Sequence, residues 1–328
     1  SLSPGVESIS ETGWYETAMH PAAIELRHTD KISLERNVLQ ALGGGGIFLY
    51  DTRRTLVDGN AVLEVAGIGI GIDIGSFAGG ISKEGEIEAP RPGNPRSSED
   101  TITNNRVQRF GLDYWSAAGI LMGFPWEITV AHNEVREGDG SGIHKGWYNL
   151  WPRCHTYALN PKALPPDRCQ TATGRNRFIG NSVSKVCTLI DDCGAIYTLG
   201  HQSPTNTFED GLQIRGNHVF NMTRPDPWLV EYGSFYASLY VDGDTSFTTI
   251  VDNIFEQTTG GRDSDNFAVF QNLDDVSSVR PHDLLWSDGG AVALATEFGD
   301  NNTDPNQKPH VRDSAGLSPG YEDVPSLV

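Results

Sequence analysis

The sequence predicts an all-β fold: a solenoid of stacked coils built from short strands, with long loops inserted between coils. Three observations predict it. The first is a four-residue pattern, an apolar residue, two others, then Asn. It recurs as Leu34–Asn37, Val57–Asn60, Ile102–Asn105, Val130–Asn133, Phe178–Asn181, Ile214–Asn217 and Ile250–Asn253. The second is the spacing: successive Asn residues are 23, 45, 28, 48, 36 and 36 positions apart, and the smallest step is about one coil of a β-solenoid. The third is that each Asn is followed, after a connection, by a short strand with Gly nearby and apolar residues at alternate positions, so that one face is buried and the other is free.

The elements follow in chain order. His20-Pro-Ala-Ala-Ile-Glu-Leu26 reads as the first strand. A solenoid needs a cap over its terminal coil. Residues 1–19 either fold over that end or leave it to an upstream fragment or a partner chain. The later strands are Gly46–Tyr50, Gly67–Ile70 (with Ile68 and Ile70 as its apolar pair), Gly119–Met122, Gly142–His144, Ala195–Thr198 and Ser238–Asp242. Gly and β-branched residues crowd these segments and argue against helix. Asn suits the tight bends, since it tolerates the left-handed region, and stacked Asn side chains could hydrogen-bond from coil to coil. Steps longer than one coil place insertions at 75–100, 147–174, 201–210 and 222–233. Inserted loops on a rigid solenoid usually make its binding face. The organisation is thus an extension over 1–19, a solenoid over 20–298 and a polar tail over 299–328 that wraps the surface or frays.

Charge and cysteines narrow the setting. There are 24 Lys+Arg against 43 Asp+Glu, a formal net charge of -19. Such a surface repels nucleic-acid phosphates and, without a metal between, anionic lipid and polyanionic glycans. No apolar run approaches the ~18–20 residues of a membrane-spanning helix. Cys154, Cys169, Cys187 and Cys193 lack the spacing of a zinc site, and local pairs 154–169 and 187–193 are the natural disulfides among three connectivities. Disulfides imply an oxidising compartment, so the chain reads as secreted. Asn221-Met-Thr223 and Asn301-Asn-Thr303 match the N-glycosylation pattern.

Candidate chemistry comes from aligning the strands. With Ile47, Ile120, Ile143, Ile196 and Leu239 inward, the next residues form an outward column: Phe48, Leu121, His144, Tyr197 and Tyr240. Two positions on lie Tyr50, Gly123, Gly146, Leu199 and Asp242. Tyr and His beside acids suit sugar rings, through stacking and hydroxyl hydrogen bonds. Asp191 and Asp192 precede one strand at a turn pinned by Cys193, and Asp242 and Asp244 end the next. Asp192 and Asp242, one coil apart, are the candidate catalytic pair. Straight strands would separate them by roughly 20 Å, so they meet only if the Cys193-Gly194 turn folds Asp192 back over the strand face. His144, Trp147, Tyr197, His201, Gln202, Tyr240, Asp191 and Asp244 are candidate substrate contacts. Glu134, Glu137 and Asp139 read as a solvated bend. No cofactor motif occurs. Asp242, Asp244 and Asp252 are the acids that could hold a structural calcium, without EF-hand spacing to support it.

The run Asp192-Cys-Gly-Ala-Ile-Tyr-Thr-Leu-Gly-His-Gln202 resembles the Asp-Gly-Gly-Ala-Ile-Tyr-Thr-Leu-Gly segment of secreted right-handed parallel β-helix proteins. Ser141-Gly-Ile-His-Lys-Gly-Trp147 and Leu239-Tyr-Val-Asp-Gly-Asp244 are similar to the same group. Over about residues 20–260 the chain resembles glycoside hydrolase family 141, which includes fucosidases and xylanases, and more distantly the β-helical xylosidases of family 120. The resemblance implies a right-handed parallel β-helix whose acids at positions 192 and 242 cleave a glycosidic bond. Cys193 stands where Gly is usual, and Lys145 where an apolar residue is usual. The expected function is a secreted glycosidase acting on a plant or microbial polysaccharide or oligosaccharide. The alternatives are a polysaccharide lyase, which needs a base and usually calcium beside a uronate, and a non-catalytic carbohydrate-binding or adhesion solenoid.

Overall fold

The computed structural model describes residues 20–74, 97–146, 173–190, 192–223, 236–243, 245–256, 258 and 308–327. It also describes the strand backbones Val6–Ile9, Tyr15–Thr17, Asn266–Gln271, Val279–His282 and Leu285–Trp286. Each coil gives one strand to each of three parallel sheets, and each sheet has eight strands in chain order. The chain is a right-handed parallel β-helix, the hand that parallel crossovers adopt. The sheet that carries the candidate site, called the site sheet below, is formed by Ala22–Asp30, Gly45–Arg53, Ile70–Ile72, Ile120–Met122, Ile143–Lys145, Cys193–Thr198, Tyr236–Val241 and Asn266–Gln271. Val6–Ile9 and Tyr15–Thr17 pair with each other antiparallel.

The core is three apolar columns meeting along the axis. Ile47, Ile70, Ile120, Ile143, Ile196 and Leu239 are in register on the site sheet. The apolar residues of the Asn pattern, from Val57 to Ile250, form the second column, and Val62, Val107, Val135, Val183, Val219 and Phe255 form the third. All these side chains are buried. Each contributes roughly 1.5–3 kcal/mol of transfer free energy. In the third coil the strand is Ile70–Ile72 rather than Gly67–Ile70. Ile70 points inward, while Ile68 packs with Phe48 and Ile74 outside the columns.

The Asn residues form a continuous ladder. Each side-chain amide from Asn37 to Asn217 donates to the next Asn Oδ1, at 2.9–3.0 Å. The same Oδ1 also accepts the backbone N–H of the preceding Asn. The bend is not made by the Asn, as expected from its tolerance of the left-handed region. It is made by the residue before: Arg36, Gly59, Asn104, His132, Gly180, Gly216 and Asp252 all have positive φ, between 53° and 66°. That residue turns the chain, which frees the Asn side chain to point into the ladder. Glycine at three of these positions removes the strain an L side chain carries there.

The described part of the C-terminal segment lies along the solenoid. Lys308 pairs with Asp252 at 2.8 Å, and Pro309–Ser314 is a short helix. Farther on, Arg36 pairs with Asp323 at 2.9 Å, and the Tyr321 hydroxyl donates to Asp58 at 2.5 Å. Leu317, Tyr321, Val324 and Leu327 pack on Ala61 and Leu63.

Candidate active site

The outward column of the site sheet is Phe48, Gly71, Leu121, His144, Tyr197 and Tyr240, six residues in strict register. Its first half is apolar: Phe48 packs with Ile68 and Ile74. Its second half is a stack of polar rings. His144 and Tyr197 have centroids 4.5 Å apart, and Tyr197 and Tyr240 4.7 Å apart. The column faces away from the core but is not free, as alternation implies it should be. His144 is 8 % exposed, Tyr197 2 % and Tyr240 1 %. Burial, and then the neighbouring Lys145 charge, pull the His144 imidazole down to about 3. His144 is therefore a neutral ring at physiological pH, a platform under Tyr197 rather than an acid. Burial and the nearby Asp242 and Asp192 charges push both phenols well above their usual range, so they stay protonated and donate.

Asp242 is fixed by the sheet. Its backbone N–H donates to Thr198 O at 2.8 Å, one residue past the strand end. The Tyr197 hydroxyl donates to its Oδ2, and the Gly243 N–H donates to its Oδ1 at 2.7 Å. Asp192 lies one residue before the strand Cys193–Thr198, whose Cys193 and Gly194 pair in register with Tyr236 and Ala237 rather than making the turn expected there. It has φ +55°, in the left-handed region, and the chain after it is held by the Cys187–Cys193 disulfide. Gly194 lies against Tyr240: a Cβ there would meet the Tyr240 Cβ at 2.7 Å, so only glycine permits this path. The Tyr240 hydroxyl hydrogen-bonds with both Asp192 and Asp242. Burial raises the Asp192 carboxyl, Tyr240 partly opposes this, and the Asp242 charge raises it further.

Both acids thus act on one phenol: burial and the Asp242 charge raise Asp192, while the Tyr240 hydroxyl opposes that rise.

The other expected contacts separate into distinct groups. Gln202 is 1 % exposed, with its amide donating to Leu199 O and Gly200 O at 3.0 and 2.7 Å, so it holds its own loop. His201 Nδ1 contacts Ser246 Oγ at 2.5 Å and its Nε2 contacts Asn206 Oδ1 at 2.7 Å, which ties two coils together. Neither is placed with the Asp192–Asp242 pair by these bonds. Lys145 has inward parity, in register with Met122 and Thr198. It is 1 % exposed and donates to Gly123 O at 2.7 Å. Asp252 belongs to the Asn corner, bonded to Lys308 and His310. Asn221 is exposed with φ +50°. Asp191, Trp147, Asp244, Cys154, Cys169 and Asn301 lie outside the described residues. Among the described residues, no three or more His, Cys, Asp or Glu are placed to hold a metal ion.

Two acids were not anticipated. Asp73 follows Gly71 by two positions, the same step that separates Asp242 from Tyr240, and that register was the available signal. Asp73 accepts from the Ser97 N–H and hydroxyl, both at 2.9 Å. Asp100 accepts from the Thr52 hydroxyl at 2.6 Å and the Thr55 N–H at 2.7 Å. Burial pushes Asp100 up to about 6, the Thr52 and Thr55 bonds oppose this, and Asp73 adds to it. Ser97 and Asp100 follow the first long insertion, so strand periodicity could not place them. Asp139 also differs from the solvated bend expected. It is partly buried, accepts from the Thr188 hydroxyl at 2.5 Å, and is raised by burial against that bond.

No family model matches the sequence, and no curated protein matches it. Among solved structures, one described as a glycoside hydrolase has a TM-score of 0.62 at 21 % identity, covering 94 % of this chain and 42 % of that one. The chain thus spans less than half the length of the glycoside hydrolase it matches. A structure of the PL6 family alginate lyase AlyGC has a TM-score of 0.29 at 10 % identity, covering 93 % of this chain and 54 % of that one. At these identities the likeness to the glycoside hydrolase is one of fold.

Proposed function

We propose that the chain is a carbohydrate-active enzyme that hydrolyses glycosidic bonds, with Asp192 as general acid and Asp242 as the second carboxylate. The observation that carries this is the Tyr240 hydroxyl shared by the two acids, one of them raised by burial. Pairs of carboxyls pushed apart in proton affinity are the working parts of glycosidases. Asp192 donates its proton to the leaving oxygen. Asp242 attacks the anomeric carbon, or takes the proton of a water that does; in the first case water then opens the glycosyl–Asp242 ester, with Asp192 taking the water's proton. Tyr197 holds Asp242 in line, and His144 supports Tyr197 from below. The likeness of the Asp192–Gln202 run to glycoside hydrolase family 141, and more distantly to family 120, supports the same reading. Fucosides and xylosides are the first substrates to try.

A lyase would need a basic residue at the site. Lys145, on the neighbouring coil, is buried and donates to Gly123 O, so product absorbance from a new C=C bond is the measurement that separates the two. The 187–193 disulfide and the exposed Asn221 fit a secreted, glycosylated chain. The test is release of reducing sugar from a panel of neutral oligosaccharides by the wild type, Asp192→Asn and Asp242→Asn. Loss of turnover in both variants, with unchanged circular dichroism and no ultraviolet absorbance from a new C=C bond, is the expected result. Wild-type rates in both variants would refute the assignment.

A further inference from the structure

Among the described residues, five large hydrophobic side chains are exposed: Val38, Leu112, Tyr114, Trp115 and Leu189. Four of them lie on one corner of the solenoid, where the chain enters the site sheet. Leu112, Tyr114 and Trp115 stand in the turn before Ile120–Met122, and Leu189 stands in the turn before Cys193–Thr198. Asp192 lies in that second turn. Clustered exposed apolar groups on an otherwise polar surface mark a binding site. Trp115 is the most exposed of the four, at 58 %.

The turn that carries Trp115 is rigid. Gly111 has φ +75° and its N–H donates to Gly67 O at 3.0 Å. Asp113 and Tyr114 both donate to Ala66 O, at 3.0 and 2.9 Å, and Ala117 donates to Tyr114 O at 2.8 Å. Tyr114 leans on His20, with centroids 4.8 Å apart. From the other side Gly140 presses so close that a Cβ would meet Ala117 O at 2.1 Å and Trp115 O at 2.9 Å. The next coil continues the contact, since Cys187 N–H donates to Gly140 O at 2.9 Å. An indole held out from a braced turn loses little freedom when a ring stacks on it.

From this geometry we infer that Trp115 is a stacking platform for a neutral polysaccharide chain lying along the solenoid axis, with its scissile bond at Asp192 and Asp242. Trp115 and Asp192 share a corner and are two coils apart, roughly 10 Å along the axis, so one chain can engage both. A net charge of -19 selects against polyanionic chains. The inference rests on the proposed function and names the substrate class: a polymer rather than a lone disaccharide.

Affinity gel electrophoresis tests it, with arabinoxylan, xyloglucan, galactomannan and mixed-linkage β-glucan each cast in the gel. Asp192→Asn serves as the parent, so that the polymer is not consumed, and is compared with Asp192→Asn/Trp115→Ala and Asp192→Asn/Trp115→Phe. The expected result is retardation of the parent by at least one polymer, an affinity about tenfold lower with Ala, and recovery with Phe. Equal retardation of parent and Ala variant overturns the platform. So does no retardation by any polymer, or concentration-dependent self-association that Trp115→Ala abolishes without any polymer binding. If Asp192→Asn still releases sugar but Trp115→Ala loses retardation, the platform stands and the catalytic assignment falls.

Discussion

Two columns of polar side chains run along the solenoid axis. On the Asn corner every coil repeats the same bonds, and each buried amide finds its partners inside the column. On the site sheet no two coils are alike: Phe48, Leu121, His144, Tyr197 and Tyr240 succeed one another, and two carboxyls meet at a single phenol. The first column is closed on itself and neutral. The second brings neutral rings and two carboxyls together, with Asp192 raised by burial and by the Asp242 charge. A buried carboxyl raised by its surroundings is a candidate for proton transfer. The contrast separates a column that holds the fold from one that we propose holds chemistry.

Substitutions in the two columns should therefore fail differently. Asn133→Ala removes the acceptor of two Asn105 donors and the Asn133 amide bonds to Ile102 O and Asn181. Orphaning them should cost about 3–5 kcal/mol, read as a lower urea midpoint, with any remaining activity falling only with the folded fraction. Asp192→Asn should do the reverse: activity down by about 10²–10⁴, urea midpoint unchanged. If Asn133→Ala proves neutral, or Asp192→Asn unfolds the chain, the division is wrong.

The Asp73–Asp100 network, between these extremes, should appear as pH dependence. The Asp100 carboxyl is raised from 3.8 to about 6, so the fold binds its proton more tightly than the unfolded chain does. Its contribution is fully present below the unfolded value and is lost as pH climbs from about 4 to 6, by roughly 3 kcal/mol. Melting temperature should fall over that window in the wild type and stay flatter in Asp100→Asn. A profile that rises with pH in that window, and does so equally in both proteins, would remove Asp100 from the account. Smaller still is the Cys187–Cys193 bond, which closes a sequence separation of 6. Cys187→Ser/Cys193→Ser should cost about 2 kcal/mol and lower activity by loosening Asp192. Unchanged activity at full folding would show that the disulfide does not position the acid.

What was legible in the sequence was what repeats. The Asn spacing marked the ladder and aligned the apolar columns. The same ruler put His144, Tyr197 and Tyr240 in one file, as the structure has them. It failed where a coil departs from its neighbours. Left-handed residues carried the bends one position before each Asn, a conformation that composition does not announce. The positive φ of Asp192 and the close approach of Gly194 to Tyr240 lie outside strand periodicity. Lys145 follows inward parity despite its charge, because its amine finds Gly123 O inside. Asp100 and Ser97 meet Thr52 and Asp73 across an insertion that no repeat spans.

The central claim is that Asp192 and Asp242 act as a coupled pair beside Tyr240, with Asp192 raised by burial and by the Asp242 charge. Carboxyl ¹³C shifts of ¹³C-labelled aspartates, followed against pH and assigned with Asp192→Asn and Asp242→Asn, measure this directly. Asp192 should titrate above the ordinary 3.8, and its midpoint should fall when Asp242→Asn removes the neighbouring charge. An Asp192 that titrates at or below the ordinary value, and does not respond to Asp242→Asn, would contradict the account.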